Sequence, residues 1–148
     1  MRIDDIRVPA EEVAAALDAI PADLREALEV AQANIAAYHE AQCGDEVVHH
    51  NGAIEIRELV RPVDRVGCYV PSAAAPLVST VLMTAVPAKV AGVPEVVLVS
   101  APGPDGAVAP GILAAAALAG VDEVYRVGGP AAIAALAYGT ASIRPVDV

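Results

Sequence analysis

The first forty residues alternate apolar and polar positions with the period of amphipathic helices. Pro9 and Pro21 each stand where a helix can begin, because proline lacks the N–H that the first turn leaves unpaired. The apolar positions recur at helical steps, at Val13, Ala16, Leu17, Ile20, Leu24, Leu28, Ala31, Ile35 and Tyr38. This spacing predicts two helices that pack against a core, although a short seam against a partner subunit would show the same pattern.

A more polar segment follows these helices. Cys43-Gly44-Asp45 is expected to end the second helix, and His49-His50-Asn51-Gly52 is expected to form a turn. Ile54 and Ile56 alternate with charged residues, which predicts a half-exposed strand. Adjacent histidines project in different directions and no further ligand follows at a metal-binding spacing. We therefore predict solvated loop histidines here.

From Arg65 onward, apolar runs typical of buried strands alternate with alanine-rich segments typical of helices. We predict strands at residues 66–70, 96–99 and 121–127, and helices at residues 77–91 (bent or interrupted near Pro87), 112–119 and 131–138. The sequence therefore predicts an α/β fold, in which N-terminal helices precede a partial Rossmann-like βαβαβα unit with a small parallel sheet. We divide the chain into an N-terminal helical segment, residues 1–52, and a partial nucleotide-binding-like domain, residues 53–148.

Composition and charge narrow the possible functions. The chain has 148 residues, is 56% hydrophobic and carries a formal net charge of -10, which disfavours nucleic acid and anionic membranes as partners. Residues 66–88 carry no charge, but three prolines within them argue against a membrane-spanning helix. The two cysteines lack a paired motif and no apolar leader follows Met1, so we expect reduced thiols in a cytoplasmic protein.

Ligands of open parallel sheets bind beyond the carboxyl ends of the strands. Three loops qualify, at residues 69–76, 100–110 and 128–130. Gly128-Gly129 precedes a predicted helix, so its N–H groups either face an anion or simply join strand to helix. Neither the G-x-G-x-x-G dinucleotide fingerprint nor the phosphate-binding P-loop occurs. The acidic pairs Glu11-Glu12 and Asp122-Glu123 are predicted to be solvated.

Three blocks of the sequence resemble the histidinol dehydrogenase family. Residues 61–71 read RPVDRVGCYVP, like the family pattern R-P-x-x-x-V-G-x-Y-[IV]-P. Residues 79–92 match S-T-V-L-M-x-x-x-P-A-x-x-A-G, and residues 119–140 match the next family block in order. With the similar N-terminal helices, the resemblance covers nearly the whole chain. It implies NAD-dependent oxidation of L-histidinol to L-histidine through an aldehyde, in histidine biosynthesis, by a zinc-containing homodimer.

The resemblance carries only part of the family site onto this chain. Tyr69 matches the family tyrosine that contacts NAD, and Gly128-Gly129 matches the family glycine pair. The family glutamine after that pair is Ala131 here, and the family Gly-Gly after Tyr-x-Pro is Ser72-Ala73. No position matches the zinc ligands, the catalytic Glu-His pair or the asparagine of G-P-G-N. The NAD-binding residues implied are therefore Tyr69, Gly128 and Gly129, with no catalytic or metal-binding residue.

We accordingly expect a truncated family member that is inactive alone and binds neither NAD nor zinc tightly. Two alternatives stay open, namely one chain of a split enzyme completed by a C-terminal chain, and a non-catalytic interaction module. A sheet that ends after its third strand is also expected to leave open edges. We therefore expect a homo-oligomer, a complementary chain, or a loosely packed protein.

Overall fold

The structure, a computed structural model, describes residues 6–44, 46–71 and 75–148. Two helices and an antiparallel hairpin come first, α1 (Ala10–Ala19), α2 (Ala22–Glu40), β1 (Val47–Asn51) and β2 (Ile54–Glu58). Strands and helices then alternate, as β3 (Arg65–Val70), α3 (Val78–Val90), β4 (Glu95–Ser100), α4 (Pro110–Leu118), β5 (Glu123–Arg126) and α5 (Gly129–Tyr138). The last three strands form a parallel sheet in the order β3-β4-β5, so the predicted α/β fold is confirmed.

The central strand β4 is buried on both faces. Val96 and Leu98 belong to the core beneath α3 and α4, whereas Val97 and Val99 belong to the core beneath α5, and all four are 0% exposed. Helix α4 is rich in alanine, and three of its consecutive alanines, Ala114 to Ala116, are also 0% exposed. Side chains this small let α1 and α3 approach α4 closely.

Both outer strands of the parallel sheet carry backbone hydrogen bonds from the ends of the chain. On the outer side of β5, the Val8 N–H donates to the Val124 carbonyl over 2.8 Å. On the outer side of β3, the Gly67 N–H donates to the Val148 carbonyl, also over 2.8 Å. The expectation of open edges is therefore wrong for these stretches, because the terminal segments supply the missing partners. The expected oligomer stays a prediction.

Charged side chains join the amino ends of the three parallel strands. Arg65 at the start of β3 donates hydrogen bonds to Glu95 at the start of β4 and to Glu123 at the start of β5. The side chain of Arg65 is 7% exposed and that of Glu123 is 14% exposed. Other parts of the chain add partners for the two carboxylates, namely Arg7, Tyr125 and Arg144. We call these six side chains the Arg65 network.

The acidic pairs follow the prediction only in part. Glu11 and Asp122 are exposed, as predicted. The side chain of Glu123 is only 14% exposed within the Arg65 network, so the prediction of a solvated residue is wrong for it. Glu12 lies 2.6 Å from the Arg126 guanidinium, and Asp122 lies 2.7 Å from the Lys89 ammonium. Glu12, Asp122 and Glu123 each have a partner far away in the sequence, which the local pattern of charges cannot reveal.

The Arg65 network should make the protein sensitive to acid. The hydrogen bond from Arg65 lowers the pKa of Glu95. Burial would raise the pKa of Glu123, but hydrogen bonds from Arg65 and Tyr125 outweigh it and lower that pKa. A carboxyl group whose pKa is lowered by folding adds stability above its unfolded pKa, about 4.3, and that stability is lost as the pH falls through the folded pKa. We expect the melting temperature, followed by circular dichroism, to fall below roughly pH 4.3.

A variant that cannot titrate at these positions provides the control. Glu95→Gln with Glu123→Gln removes both carboxyl groups and should be less stable at neutral pH. Its melting temperature should then fall less steeply with acid than that of the parent chain. An equally steep fall in both proteins would show that other carboxyl groups cause the acid sensitivity.

The helices follow the predicted pattern with small differences. The first two begin one residue after Pro9 and Pro21, and α3 runs continuously through Pro87. Leu28 is 4% exposed on the packed face of α2, but Tyr38 is 64% exposed, so the apolar stripe ends before it. No helix among the described residues is long and apolar enough to cross a membrane.

The β1–β2 hairpin corrects two expectations. Residues 49–51 belong to β1, and the turn is confined to Gly52-Ala53, with φ +60° at Gly52 as in a type II′ turn. The strand predicted at Ile54 and Ile56 is confirmed as β2. These two side chains are 59% and 58% exposed, so the prediction that one face of this strand is buried is wrong. The division of the chain at residue 52 falls in this turn and stays a prediction.

Candidate functional site

The three residues expected to contact NAD lie together at the carboxyl edge of the sheet. Tyr69 is near the end of β3, and Gly128-Gly129 connects β5 to α5. The Gly129 N–H donates a hydrogen bond to the Tyr69 hydroxyl over 3.2 Å. Since the hydroxyl oxygen is the acceptor in this bond, its own hydrogen can be donated to a ligand. The structure thus brings the predicted residues into one corner, while their role toward NAD stays a prediction.

Removing the Tyr69 hydroxyl should cost little more than one hydrogen bond. Tyr69→Phe leaves the Gly129 N–H without this acceptor, and we expect the free energy of unfolding to fall by about 1 kcal/mol. Urea denaturation measures this change. Tyr138→Phe is the matched control, because Tyr138 is 87% exposed and should tolerate the change. Equal stability of the two variants would show that the Tyr69 hydroxyl bond contributes nothing.

The two glycines of this corner have different structural roles. A Cβ on Gly128 would lie 2.5 Å from the Cβ of Ala101, the residue that follows β4. Gly129 faces open space, but its φ of +68° is a conformation that side chains disfavour. Gly128 therefore permits close packing and Gly129 permits the turn. The pair thus joins strand to helix, and the Gly129 N–H is directed at the Tyr69 hydroxyl. An anion facing these N–H groups stays a prediction.

The positions that depart from the family pattern are only partly described. Ala131 lies in the first turn of α5 and is exposed, so a longer side chain there would have room to extend. The methyl group of alanine can form no hydrogen bond, which a glutamine amide would. Ser72-Ala73 lies outside the described residues.

A cleft of about 630 Å³ lies beside the glycine turn. Its walls come from α1, from the loops that follow β3 and β4, and from the first turns of α4. Ala101 lines this cleft and is also the residue against which Gly128 packs. The volume is in the range of small-molecule sites, about 300–1,000 Å³. Of the three loops that the strand-end rule predicts, those after β3 and β4 line the cleft, whereas residues 128–130 are not among its lining residues. The rule does not predict the contribution of α1, because nothing in its helical pattern distinguishes it from a packing helix.

The charged groups that line the cleft are acidic. Glu12 lines the cleft and forms a salt bridge with Arg126, whose side chain is 19% exposed. Asp105 accepts a hydrogen bond from the Ala107 N–H over 3.0 Å and so shapes the loop after β4. Carboxylates accept hydrogen bonds from hydroxyl groups such as those of a ribose and repel phosphates. The lining is thus suited to an apolar ring or a hydroxyl-bearing group.

Metal binding has little support within the described residues. His49 and His50 are both exposed, as predicted, and as neighbours in β1 they point to opposite faces of the hairpin. In the part of the chain that the structure describes, no group of three or more His, Cys, Asp and Glu side chains is arranged to hold a metal ion. These residues do not fit a zinc site, and no chemical step through zinc follows from them.

Comparison with known proteins gives one consistent result. All 148 residues match the family model described as histidinol dehydrogenase. A histidinol dehydrogenase of Synechococcus sp. is 48% identical over 149 residues, covering 100% of this chain and 34% of that protein. One of Moorella thermoacetica is 50% identical over 143 residues, covering 95% of this chain and 34% of that protein.

The solved structures agree with the sequence comparisons. The crystal structure of histidinol dehydrogenase from Elizabethkingia anophelis has a TM-score of 0.92 and 34% sequence identity, over 98% of this chain and 34% of that chain. The chain therefore spans about a third of the length of the relatives it matches. On the match of both sequence and fold over essentially its whole length, the chain belongs to the histidinol dehydrogenase family.

Proposed function

We propose that this chain forms an NAD-contacting part of an enzyme that oxidises L-histidinol to L-histidine, and that it does not catalyse this reaction alone. The observation that carries the proposal is the hydrogen bond between Gly129 and Tyr69, beside the cleft at the carboxyl edge of the sheet. This is where ligands of open parallel sheets bind. The family resemblance assigns the same tyrosine to NAD.

Each residue of the corner has a distinct part in this proposal. Gly129 fixes the Tyr69 hydroxyl oxygen, so that the hydroxyl hydrogen is directed to the cofactor. Gly128 keeps the turn close to Ala101 and so sets the position of the turn beside the cleft. NAD, when bound, supplies the acceptor for the hydride that leaves the substrate. With Ala131 in place of the family amide, we propose that this chain alone binds NAD weakly.

The complete reaction is proposed for this chain together with the remainder of the family fold. The relatives are about three times as long as the part that matches, and the family's zinc and acid–base chemistry has no match among the residues here. A split enzyme, in which a separate chain supplies the remainder, is the alternative form of this proposal. A cytoplasmic location is part of the proposal, since the family acts in histidine biosynthesis.

A chimera tests this function. The matching third of the Synechococcus enzyme is replaced by this chain, and NADH formation from L-histidinol is followed with zinc present. We expect activity from the chimera and none from the 148-residue chain alone. Activity of the chain alone would contradict the proposal, as would a folded chimera that neither binds NAD nor turns over histidinol.

A second variant tests the role of the corner within that chimera. Tyr69→Phe should raise the KM for NAD while leaving the KM for L-histidinol unchanged. Tyr138→Phe serves again as the exposed control. Unchanged kinetics for NAD in an active chimera would remove Tyr69 from the cofactor site.

The second candidate is a non-catalytic interaction module. It is favoured by the backbone hydrogen bonds on both outer strands, which pair stretches of each sheet edge within this chain. A folded chimera without NAD binding, together with a stable and monomeric chain, would support it.

A further inference from the structure

The β1–β2 hairpin has two chemically different faces. Directly opposed residues of antiparallel strands share a face, and so do alternate residues along each strand. The register His49↔Ile56 and Val47↔Glu58 therefore defines one face, which Ile54 completes. We call this face, with Val47, Ile54 and Ile56 as its large apolar residues, the apolar hairpin face.

The opposite face of the hairpin carries charged side chains that form ion pairs with one another. Arg57 lies within salt-bridge distance of Glu46, at 3.5 Å, and also pairs with Glu55. His50 lies 3.7 Å from Glu55 across the strands. Such pairs are stable in water and need no further partner. This face also carries Val48, which is 42% exposed, so its charged residues pair with one another beside one large apolar side chain.

The apolar hairpin face, by contrast, is not covered by the described chain. All ten residues of β1 and β2 are exposed. Val47, Ile54 and Ile56 are 58%, 59% and 58% exposed, and the segment that follows adds Val60 at 83%. A two-stranded hairpin is at best marginally stable by itself in water. An amphipathic hairpin with an uncovered apolar side indicates a surface made to be covered.

We propose that the apolar hairpin face docks on the part of the histidinol dehydrogenase fold that lies outside the third spanned by this chain. The inference rests on the proposed function. The Synechococcus relative aligns with all of this chain, so the hairpin region is shared, and 66% of that protein's length is left to supply a cover (100% minus the 34% that is matched). A solved family structure superposes on 98% of the chain, so the overlay leaves little room for a hairpin foreign to the family fold.

A second copy of this chain is a poorer occupant of the same face. Glu58 also lies on the apolar hairpin face, so two such faces packed together would bring a carboxylate of each copy into the contact. A copy would therefore add acidic groups where the face offers apolar ones.

Cysteine labelling tests the docking directly. In a Cys43→Ser background, which removes the exposed native thiol, Ile56→Cys reports the apolar hairpin face and Glu55→Cys reports the charged face. Maleimide modification is timed in the 148-residue chain and in the chimera. We expect Ile56→Cys to react about tenfold or more slowly in the chimera, since the contact must first open. Glu55→Cys should react at similar rates in both.

Each other outcome has a defined meaning. Equal rates for Ile56→Cys in the two proteins overturn the inference, and so does concentration-dependent protection in the chain alone, which would identify a second copy as the cover. If the chimera does not fold, labelling at the aligned positions of the Synechococcus enzyme decides the matter by the same criterion. An active chimera with an exposed Ile56→Cys refutes the docking alone, whereas an inactive chimera with a protected Ile56→Cys refutes the proposed function alone.

Discussion

Replacing Arg65 with alanine is expected to lower the free energy of unfolding by about 3 kcal/mol, the lower end of the range for breaking a buried ion pair. The guanidinium, 7% exposed, holds the first residues of all three parallel strands together through Glu95 and Glu123. Its removal leaves the nearly buried carboxylate of Glu123 with weaker partners. For a domain of this size, the melting temperature should fall by roughly 10 °C. Urea denaturation and thermal melting measure the two quantities.

Two variants test whether the loss of stability comes from the bridge that Arg65 makes between two carboxylates. Arg144 also pairs with Glu95 but its side chain is 64% exposed, so Arg144→Ala should cost less than about 1 kcal/mol. Arg65→Lys keeps the charge but has no planar fork to reach two carboxylates at once, so its stability should lie between those of the parent and the alanine variant. If Arg65→Ala were as stable as Arg144→Ala, the Arg65 network would contribute no more than a surface pair.

The second large effect is expected from Gly128→Ala. A methyl group there would lie 2.5 Å from the Cβ of Ala101, so the turn after β5 must move away from the end of β4. Overpacking of this kind costs about 2 kcal/mol. The shift also moves Gly129 relative to Tyr69. In the chimera the variant should therefore raise the KM for NAD as well as lower the melting temperature.

A compensating substitution separates the contact from other effects of the added methyl group. Ala101→Gly removes the nearest atom, so combining it with Gly128→Ala should restore part of the lost stability. The restored part appears as a coupling energy in the double-mutant cycle. Strictly additive effects of the two substitutions would show that the contact with Ala101 is not the cause.

The sequence alone was a good guide wherever a pattern was local. The uncharged β-branched run of β4 can only be stable with both faces covered, and its buried residues are those predicted. β1 was missed, because His49-His50-Asn51-Gly52 has the composition of a turn and becomes a strand only through its pairing with β2. The start of α5 was placed two residues late, because a glycine pair rarely opens a helix.

The candidate site likewise contains residues that the sequence predicts and contacts that only the packing of the fold creates. Tyr69 and the glycine pair were identified from the strand-end rule and the family resemblance, and the fold brings them into contact. The contact of Gly128 with Ala101 and the pairing of Glu12 with Arg126 depend on how separate elements pack. Arg65, Glu95 and Glu123 likewise meet only because the parallel register sets the three strand starts side by side. No spacing along the chain contains that information.

The pairing of the N-terminal segment with β5 has a consequence for folding. Val8 bonds to Val124, and α1 packs mainly against α4, so this segment depends on residues that follow it much later in the sequence. Contacts of such high sequence separation form slowly, because a long loop must close before they stabilise anything. During synthesis α1 emerges well before its partners, with its apolar face uncovered until α4 has left the ribosome. The segment around Val8 and the helix α1 are therefore expected to fold late, after β5 and α4, on which they depend.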